Sequence, residues 1–453
     1  MPNSDLRKRV RCVLSVENFH WKGETEMDDT RAAEDQPLVL RHFIPKDREG
    51  TYYALPFPVP AGAESVTVTY DYPARGRSVM KDLKPSNTVD LGLCNGRGAF
   101  LGWSGSAHKS ITVGRYRSSP GYLTDPMAPG EWQILIGAYH IEPEGCEVTY
   151  TITFTYPAQR LYAGDLHMHS TASDGVFSPR ELGERAKAAG LDFIAVADHN
   201  NYAENLHLPF VPGMTYIPAV EWTHYKGHMN FFGVKAPFEN GFIANTKEEM
   251  RALTDRARAM GAAVSVNHPK CPFCPYLWED DTAFDLMEIW NGPFTPRNAR
   301  ALAFWHTLLT QGRRIPIVGG SDFHKPGVVR LGHPTTVVRA DSPSAEDLLS
   351  AIRAGHAYVT EGPKGPRLTL GCGDAFMGDE AAFDPGTPVT AETDAKRVFF
   401  VTDKGKTEIR VQNGAARFSA AGARFVYAEI RSSLTPGRVL AVTNPIYFKE
   451  EEA

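Results

Sequence analysis

The segment Gly164-Asp165-Leu166-His167-Met168-His169-Ser170 carries two histidines on alternate residues, and Asp174 follows shortly after. In extended backbone, residues i and i+2 point to the same side. His167 and His169 can therefore present two imidazoles to one metal ion from a single strand end. Asp174, past a turn, can reach a neighbouring ion. A lone His-x-His is a weak signal, so the rest of the chain must supply the missing donors. It does so at the ends of apolar runs. Residues 193–197 end in Asp198-His199, 216–220 in Glu221, and 262–266 in Asn267-His268. The run near Leu286 carries Glu288, and 315–319 leads into Ser321-Asp322-Phe323-His324.

The elements that must position these groups alternate between strands and helices. Helices are expected at 180–189, with Ser178 before Pro179 as N-cap, and at 246–260, where Thr246 and Glu249 are spaced as a capping box and Gly261 closes the end. Two more are expected at 296–311, ended by Gly312, and at 344–354, ended by Gly355. Such alternation points to a parallel sheet or barrel. In a parallel barrel the carboxyl ends of the strands share one face, so residues distant in sequence converge there. Taken singly, each donor has an ordinary explanation. A strand-end histidine can be a polar cap, Asp198 can N-cap a following helix, and Glu288 can be a surface or outer carboxylate. Taken jointly, they read as a metal site. Imidazole with carboxylate suits zinc, iron, manganese or nickel. No thiolate stands among the strand-end donors. There are more donors than one tetrahedral ion needs, and Glu221 is the natural bridging carboxylate of a two-metal site.

The flanks read differently. Residues 64–72 and 147–156 alternate apolar and polar positions with β-branched residues, and 132–138 is a further strand candidate. Gly/Pro punctuation between such strands suggests a sandwich. A boundary is expected near Pro157. Beyond Pro363 the chain is β-rich again, at 397–402, 408–411 and 424–431, as a small sandwich or an antiparallel extension of the central domain. The organisation expected is a β-sandwich-like domain at 1–160, a barrel carrying the metal site at 161–363 and a β-rich C-terminal region at 364–453.

The 453 residues are 42% apolar and 22% charged, ordinary for a globular chain. The net charge of −5 without a lysine or arginine block argues against a nucleic-acid backbone as partner. Met1–Arg11 is polar, and no apolar run is long enough to span a bilayer, so a cytoplasmic protein with no membrane partner is expected. The six cysteines (Cys12, Cys94, Cys146, Cys271, Cys274 and Cys372) are scattered. Cys271-Pro272-Phe273-Cys274 lacks the second pair of a zinc knuckle and the setting of a thioredoxin-like redox pair. It reads as a loop with two thiols and no catalytic task. The sequence leaves the oligomeric state open.

His167-Met168-His169, Asp198-His199, Asn267-His268-Pro269 and Ser321-Asp322-Phe323-His324 resemble the four motifs of the PHP (polymerase and histidinol phosphatase) superfamily. More closely, the chain resembles a CehA/McbA-type metallohydrolase. The added signs are Glu221-Trp222-Thr223, Gly227-His228-Met229-Asn230-Phe231-Phe232-Gly233, Met287-Glu288-Ile289-Trp290-Asn291-Gly292 and the run from Ala354 to Pro363. The resemblance implies an α/β fold, a distorted (β/α)7 barrel with two or three divalent transition metal ions (zinc, manganese or iron) at the strand ends. Carried across, His167, His169, Glu221 and Asp322 hold the first ion. Glu221 and His268 hold the second; His228 is the nearest candidate for its further ligand, or else touches substrate. Asp174, His199 and His324 hold the third, with Asp174 standing where some relatives have histidine.

A hydroxide bridging two ions is nucleophilic at neutral pH, and the ions stabilise the charge that develops on the electrophile. The expected reaction is hydrolysis of phosphoesters, mono- or diesters, of small molecules. The same centre would serve a carboxyl or carbamate ester. A third reading is a binding protein whose barrel is inactive. Asp322 is placed to take or orient the water proton, Glu221 to bridge, and His199, His228 or Lys325 to protonate a leaving group. Lys325, Arg330 and Lys270 are the visible cations for a phosphate, with Asn267 a further substrate contact. Trp222, Tyr225, Trp278 and Trp290 either line an apolar pocket or pack in the core.

Overall fold

The computed structural model describes residues 36–73, 87–115, 117–156, 159–234, 242–382 and 387–449. Met1–Arg11, Cys12, Pro157 and the acidic run Glu450–Glu452 lie outside the described residues. The chain divides into two compact units, Met1–Pro157 and Ala158–Ala453.

The first unit is built from eight strands among the described residues: β1 (Leu38–Ile44), β2 (Tyr52–Val59), β3 (Ser65–Asp71), β4 (Thr88–Cys94), β5 (Phe100–Gly105), β6 (Ser110–Gly114), β7 (Gly130–His140) and β8 (Cys146–Thr155). They form two antiparallel four-stranded sheets, ordered β1-β8-β3-β6 and β2-β7-β4-β5. Period-two alternation puts Val66, Val68 and Tyr70 of β3 and Val148, Tyr150 and Ile152 of β8 on one face. These residues share one core with Phe57, Leu91, Trp132 and Ile134 of the other sheet. That is the packing of a β-sandwich.

The second unit is organised on one large curled sheet. Its first strands are β9 (Arg160–Met168), β10 (Phe193–Val196), β11 (Thr215–His224), β12 (Gly227–Phe232), β13 (Ala263–Val266), β14 (Leu286–Asn291) and β15 (Ile317–Gly320). They neighbour one another in chain order. The sheet curls until its two ends meet. Asp322 N–H donates to His167 O at 2.7 Å, and His169 N–H donates to Phe323 O at 2.9 Å. β16 (Thr335–Ala340) and β17 (Ala357–Thr360) follow on the far side of β9, and Val439–Thr443, Phe425–Arg431, Arg397–Thr402 and Gly405–Arg410 extend the same sheet. A separate small antiparallel sheet pairs Leu368–Cys372 with Val389–Thr393. The C-terminal region thus adds strands to the central sheet and carries a small sheet of its own.

One strand departs from the parallel expectation. β12 is antiparallel to both β11 and β13. It returns from β11 through a tight hairpin at Gly227, whose φ of 123° is open to glycine and strained for other residues. A hairpin therefore replaces a helical crossover there, and it carries His228 to the same rim as Glu221.

The helices form where the caps are. In α1 (Pro179–Ala188) the Ser178 side chain accepts from Glu181 N, and the Glu181 carboxylate accepts from Ser178 N. In α2 (Lys247–Ala259) Thr246 and Glu249 reciprocate in the same way. α3 (Pro296–Thr310) starts on proline, and α4 (Ala345–Ala354) stops at Gly355 in the left-handed region. Their apolar faces, such as Leu182 and Ala186, or Leu348 and Ile352, cover the sheet.

Candidate metal centre

Six of the seven strands β9–β15 point their carboxyl ends at one place, and the hairpin of β12 returns to it. Phe193–Val196 is apolar throughout and Ala263–Val266 is apolar but for Ser265, because both faces are covered. With Glu288 inside β14 an exception, most polar residues appear where these strands run out. At β9 that is Asp165, His167 and His169.

Asp165 is fully buried and ties the two ends of the curled sheet together. Its Oδ1 accepts from His167 N at 3.2 Å and Ser321 N at 2.9 Å, and its Oδ2 accepts from Gly332 N at 2.7 Å. Asp165→Ala leaves three buried N–H groups unpaired. The expected cost is about 3 kcal/mol, since each such group costs roughly 1 kcal/mol or more. Urea denaturation of the metal-free protein measures it, and an unchanged midpoint would refute the assignment.

Asp198 caps no helix, contrary to one sequence reading. Its carboxylate accepts from Ser170 N, Ser170 Oγ and Ser173 Oγ, each at 2.7 Å. It thereby fixes the loop that delivers Asp174. Glu288 is buried, not a surface group: His167 Nδ1 lies 2.9 Å from its Oε1, and its Oε2 accepts from His268 N at 3.0 Å. A carboxylate only accepts, so Nδ1 keeps its proton and Nε2 is the nitrogen left for an ion.

Glu221 sits at the centre. Its Oε1 lies 3.4 Å from His167 Nε2, 3.2 Å from His228 Nδ1 and 3.5 Å from His268 Nε2. Its Oε2 lies 3.6 Å from His169 Nε2 and 2.8 Å from His199 Nδ1. Asp322 Oδ1 is 3.1 Å from His169 Nε2 and 3.5 Å from His167 Nε2. Asp174 Oδ1 is 3.2 Å from His324 Nε2 and 3.6 Å from His199 Nε2. All nine residues proposed as ligands from sequence therefore stand together. Three donor clusters have ligand atoms within 4.8 Å of one another: His167, His169 and Asp322; His169, Asp174, His199 and His324; and His228, His268 and Cys274.

The residues fit metal ions. Two ligands about 2.1 Å from a tetrahedral ion lie roughly 3.4 Å apart, which is the spacing seen around Glu221. His167 Nε2 is buried and has no hydrogen-bond partner. Natural proteins rarely leave such an atom unsatisfied, and a cation satisfies it. Two of the donor residues also sit in strained backbone, His268 at φ 30° and Asp322 at φ 56°. Strain of this kind gathers at functional sites.

Electrostatics of the metal-free cluster follow from burial and proximity. Burial pushes the His167 imidazole down, but Glu288, Asp322 and Glu221 outweigh it and hold His167 well above the ordinary range. His268 is likewise raised: burial opposes, and Cys274 and the carboxylates Glu221 and Glu288 prevail. Burial prevails at His169 and lowers it. Burial would raise Glu221 and Asp322, but the imidazoles around them, His167 foremost, hold both carboxyls below their usual range.

Exposure grades across the site. His167, His169, Glu221 and His268 form the buried floor. The side chains of Asp174, at 59% exposed, and of His324, His199 and Asp322, at 26–28%, form the open rim.

The substrate contacts expected from sequence fare differently. Asn267 is buried, and its Nδ2 donates to Glu221 Oε1 at 2.8 Å, so it braces the carboxylate and does not face a substrate. Lys325 and Arg330 are exposed on the loop after His324. Lys270 lies over the Phe304 ring at 3.8 Å. Trp222, Trp278 and Trp290 are core residues, whereas Tyr225 is 98% exposed. Sequence reasoning named Asp165 only as a strand-end donor, gave Asn291 no role and set Cys274 aside. Asn291 Nδ2 donates to Glu288 Oε2 at 3.1 Å and Asp322 Oδ2 at 3.3 Å, and Arg297 donates to Asn291 Oδ1 at 2.8 Å. Cys274 Sγ lies 3.5 Å from His268 Nδ1. The loop read from sequence as two thiols without a task thus sets one of them beside a donor.

Comparison with known proteins bears on the same region. Residues 298–357 match the PHP_C family model, described as PHP-associated. A stretch of 109 residues is 31% identical to a 3',5'-nucleoside bisphosphate phosphatase of Chromobacterium violaceum, covering 22% of this chain and 37% of that one. A shorter stretch, 63 residues, is 54% identical to the DNA polymerase/3'-5' exonuclease PolX of Bacillus subtilis, covering 14% of this chain and 11% of that protein. The chain thus spans well under half of the curated relatives it matches. Among solved structures, a two-domain protein of Bacteroides vulgatus containing a PHP-like metal-dependent phosphoesterase aligns at 17% identity and a TM-score of 0.38, over 64% of this chain and 98% of that one.

Proposed function

We propose that this chain is a metal-dependent phosphoesterase acting on small-molecule phosphate mono- or diesters, with two or three divalent ions at the end of a distorted (β/α)7 barrel of CehA/McbA type. The observation that carries the reading is the donor set around Glu221, in which five imidazoles stand within 3.6 Å of one buried carboxylate. Divalent ions bound there supply an acidified water and charge stabilisation for an ester undergoing attack. The chain's own residues do the rest. Glu221 is the shared carboxylate. His167, His169 and Asp322 hold one side of it, and His228 and His268 another. Asp174, His199 and His324 stand at the rim, where a substrate arrives. Asp322 is partly exposed and fixed by Asn291, which suits it to orient a water proton. His199 has Thr223 Oγ1 2.7 Å from Nδ1, which turns its Nε2 toward Asp174 at the rim. The names of the Chromobacterium and Bacillus relatives both denote phosphoester cleavage, which supports phosphorus over carbon esters. The net charge of −5 favours a small substrate over a polymer.

The test is a side-by-side assay of nitrophenyl phosphate, bis(nitrophenyl) phosphate and nitrophenyl acetate, on protein stripped with chelator and on protein reloaded with manganese or zinc. Phosphoester turnover is expected only after reloading, and faster than acetate turnover. Preference for the acetate would turn the reading to a carboxyl-ester hydrolase. Failure of every substrate, with no metal retained, would leave a binding protein with an inactive barrel.

A further inference from the structure

A metal-ligating imidazole is held by a hydrogen bond at its other nitrogen. At this centre His167 has Glu288, His324 has the Asp322 carbonyl at 2.9 Å and His199 has Thr223. For His268 that place is taken by a sulfur. Its Nε2 faces Glu221 Oε1 at 3.5 Å, and on the other side of the ring its Nδ1 lies 3.5 Å from Cys274 Sγ.

The loop is folded to make this contact. Cys271 N–H donates to His268 O at 2.8 Å, closing a turn directly after the histidine. Tyr276 N–H donates to Pro269 O at 3.1 Å, and Leu277 N–H donates to Lys226 O at 2.8 Å, which pins the returning chain to the hairpin that carries His228. The two hydrogen bonds bracket Cys274 and bring it back over the ring it follows by six residues. The thiol is half-buried, whereas Phe273 beside it is 92% exposed. The loop thus presents the sulfur inward and its most apolar side chain outward, the reverse of what burial of apolar surface alone would select.

We propose that Cys274 is a positioning residue for the second ion: its sulfur accepts the Nδ1–H of His268 and so keeps Nε2 directed at Glu221 and His228. This rests on the metal-centre reading above. Sulfur is a weaker acceptor than the carboxylate behind His167. The His228–His268 ion is therefore held less tightly than the ion on His167 and His169, and its affinity depends on this one contact.

The experiment titrates zinc, and separately cobalt(II), into metal-free full-length protein against a chromophoric chelator. Cys274→Ala and Cys274→Val are compared with wild type, Cys274→Ser and Phe273→Ser, with circular dichroism of each metal-free variant as the check on folding. Removing the acceptor is expected to weaken the second ion about 10- to 100-fold while the first is unchanged. Serine, whose hydroxyl also accepts, is expected to restore most of the loss, and Phe273→Ser to leave both affinities as in wild type. Cobalt-loaded wild type is expected to show no sulfur-to-cobalt charge-transfer band, because the sulfur touches the ring and not the ion. Such a band would make Cys274 a direct ligand and overturn the positioning role. Equal second-ion affinity in wild type and Cys274→Val would overturn it too, as would a matching loss in Phe273→Ser, which would assign the effect to the loop. Wild type that binds no ion would sink the metal-centre reading itself, a result distinct from all of these.

Discussion

Glu221→Gln is expected to abolish phosphoester turnover and to lower the bound metal by at least one ion per chain. The substitution keeps size and shape and removes one charge. Glu221 is 1% exposed, and His167, His169, His199, His228 and His268 all stand around its two oxygens. No other carboxylate among the described residues touches all three donor clusters. Asp322 reaches His167, His169 and His324, and Asp174 reaches only the rim histidines. A neutral amide cannot balance two cations, and its NH2 group would face imidazole nitrogens that must keep lone pairs for metal. The expected loss in kcat is on the order of a thousandfold or more, the upper range for losing one charge-stabilising group. Metal content by atomic emission, measured beside turnover, separates lost ions from a merely slowed reaction. A variant with full metal content and more than a tenth of wild-type activity would refute the bridging assignment.

Much of this site was legible because the fold obeys a simple rule. Buried parallel strands are largely apolar until they end, so a histidine or carboxylate directly after a run such as 193–197 or 262–266 stands out. The helix caps were equally plain: Ser178 with Glu181 and Thr246 with Glu249 lie within a few residues of each other and act locally. What sequence could not show was contact across the sheet. Glu288 meets His167 from two strands that are remote in the chain, and Asp165 reaches Gly332 across the closure of the curled sheet. Nothing in the local pattern marks either as different from an ordinary strand residue. β12 was missed for another reason. Its run Gly227-His228-Met229-Asn230-Phe231-Phe232 alternates only weakly, because Phe231 and Phe232 are both buried. The turn before it, closed by Gly227, was the available signal. Asn267 misled because it adjoins His268, yet successive strand residues point to opposite sides, and its amide meets Glu221 from behind. Cys274 was set aside because spacing alone makes Cys-x-x-Cys look either redox or structural. Only the fold-back of the loop reveals the imidazole beneath it.

The same cluster predicts opposite pH dependences with and without metal. In the metal-free protein His167 and His268 are raised although burial opposes it: Glu288, Asp322 and Glu221 prevail at His167, and Cys274 with Glu221 and Glu288 at His268. A group raised on folding contributes stability that is complete below its unfolded pKa, about 6.5 for histidine, and that is lost as pH rises through the folded value. Glu221 and Asp322 are lowered, so their contribution is present above the unfolded carboxylate pKa, about 4, and is lost only as pH falls through the lower folded value. The metal-free cluster is therefore most stabilising between about pH 4 and 6.5, and Tm is expected to decline above that window. Metal reverses the sign. A histidine must shed its proton to bind an ion, so the raised pair makes protons strong competitors of metal at low pH. His169, which burial lowers, sheds its proton at lower pH and adds less to this competition. The rise in Tm produced by a fixed free zinc concentration is thus expected to be small near pH 5.5 and to grow steadily with pH, while the metal-free Tm falls. Calorimetric scans at a series of pH values, with and without buffered zinc, measure both curves. Proton release on zinc binding, read from binding enthalpies in two buffers of different ionisation heat, should reach about two to three per chain at neutral pH, since Glu221 raises His199 against burial as well, and shrink at alkaline pH. Parallel curves and no proton release would show that the imidazoles around Glu221 are not the groups an ion displaces protons from.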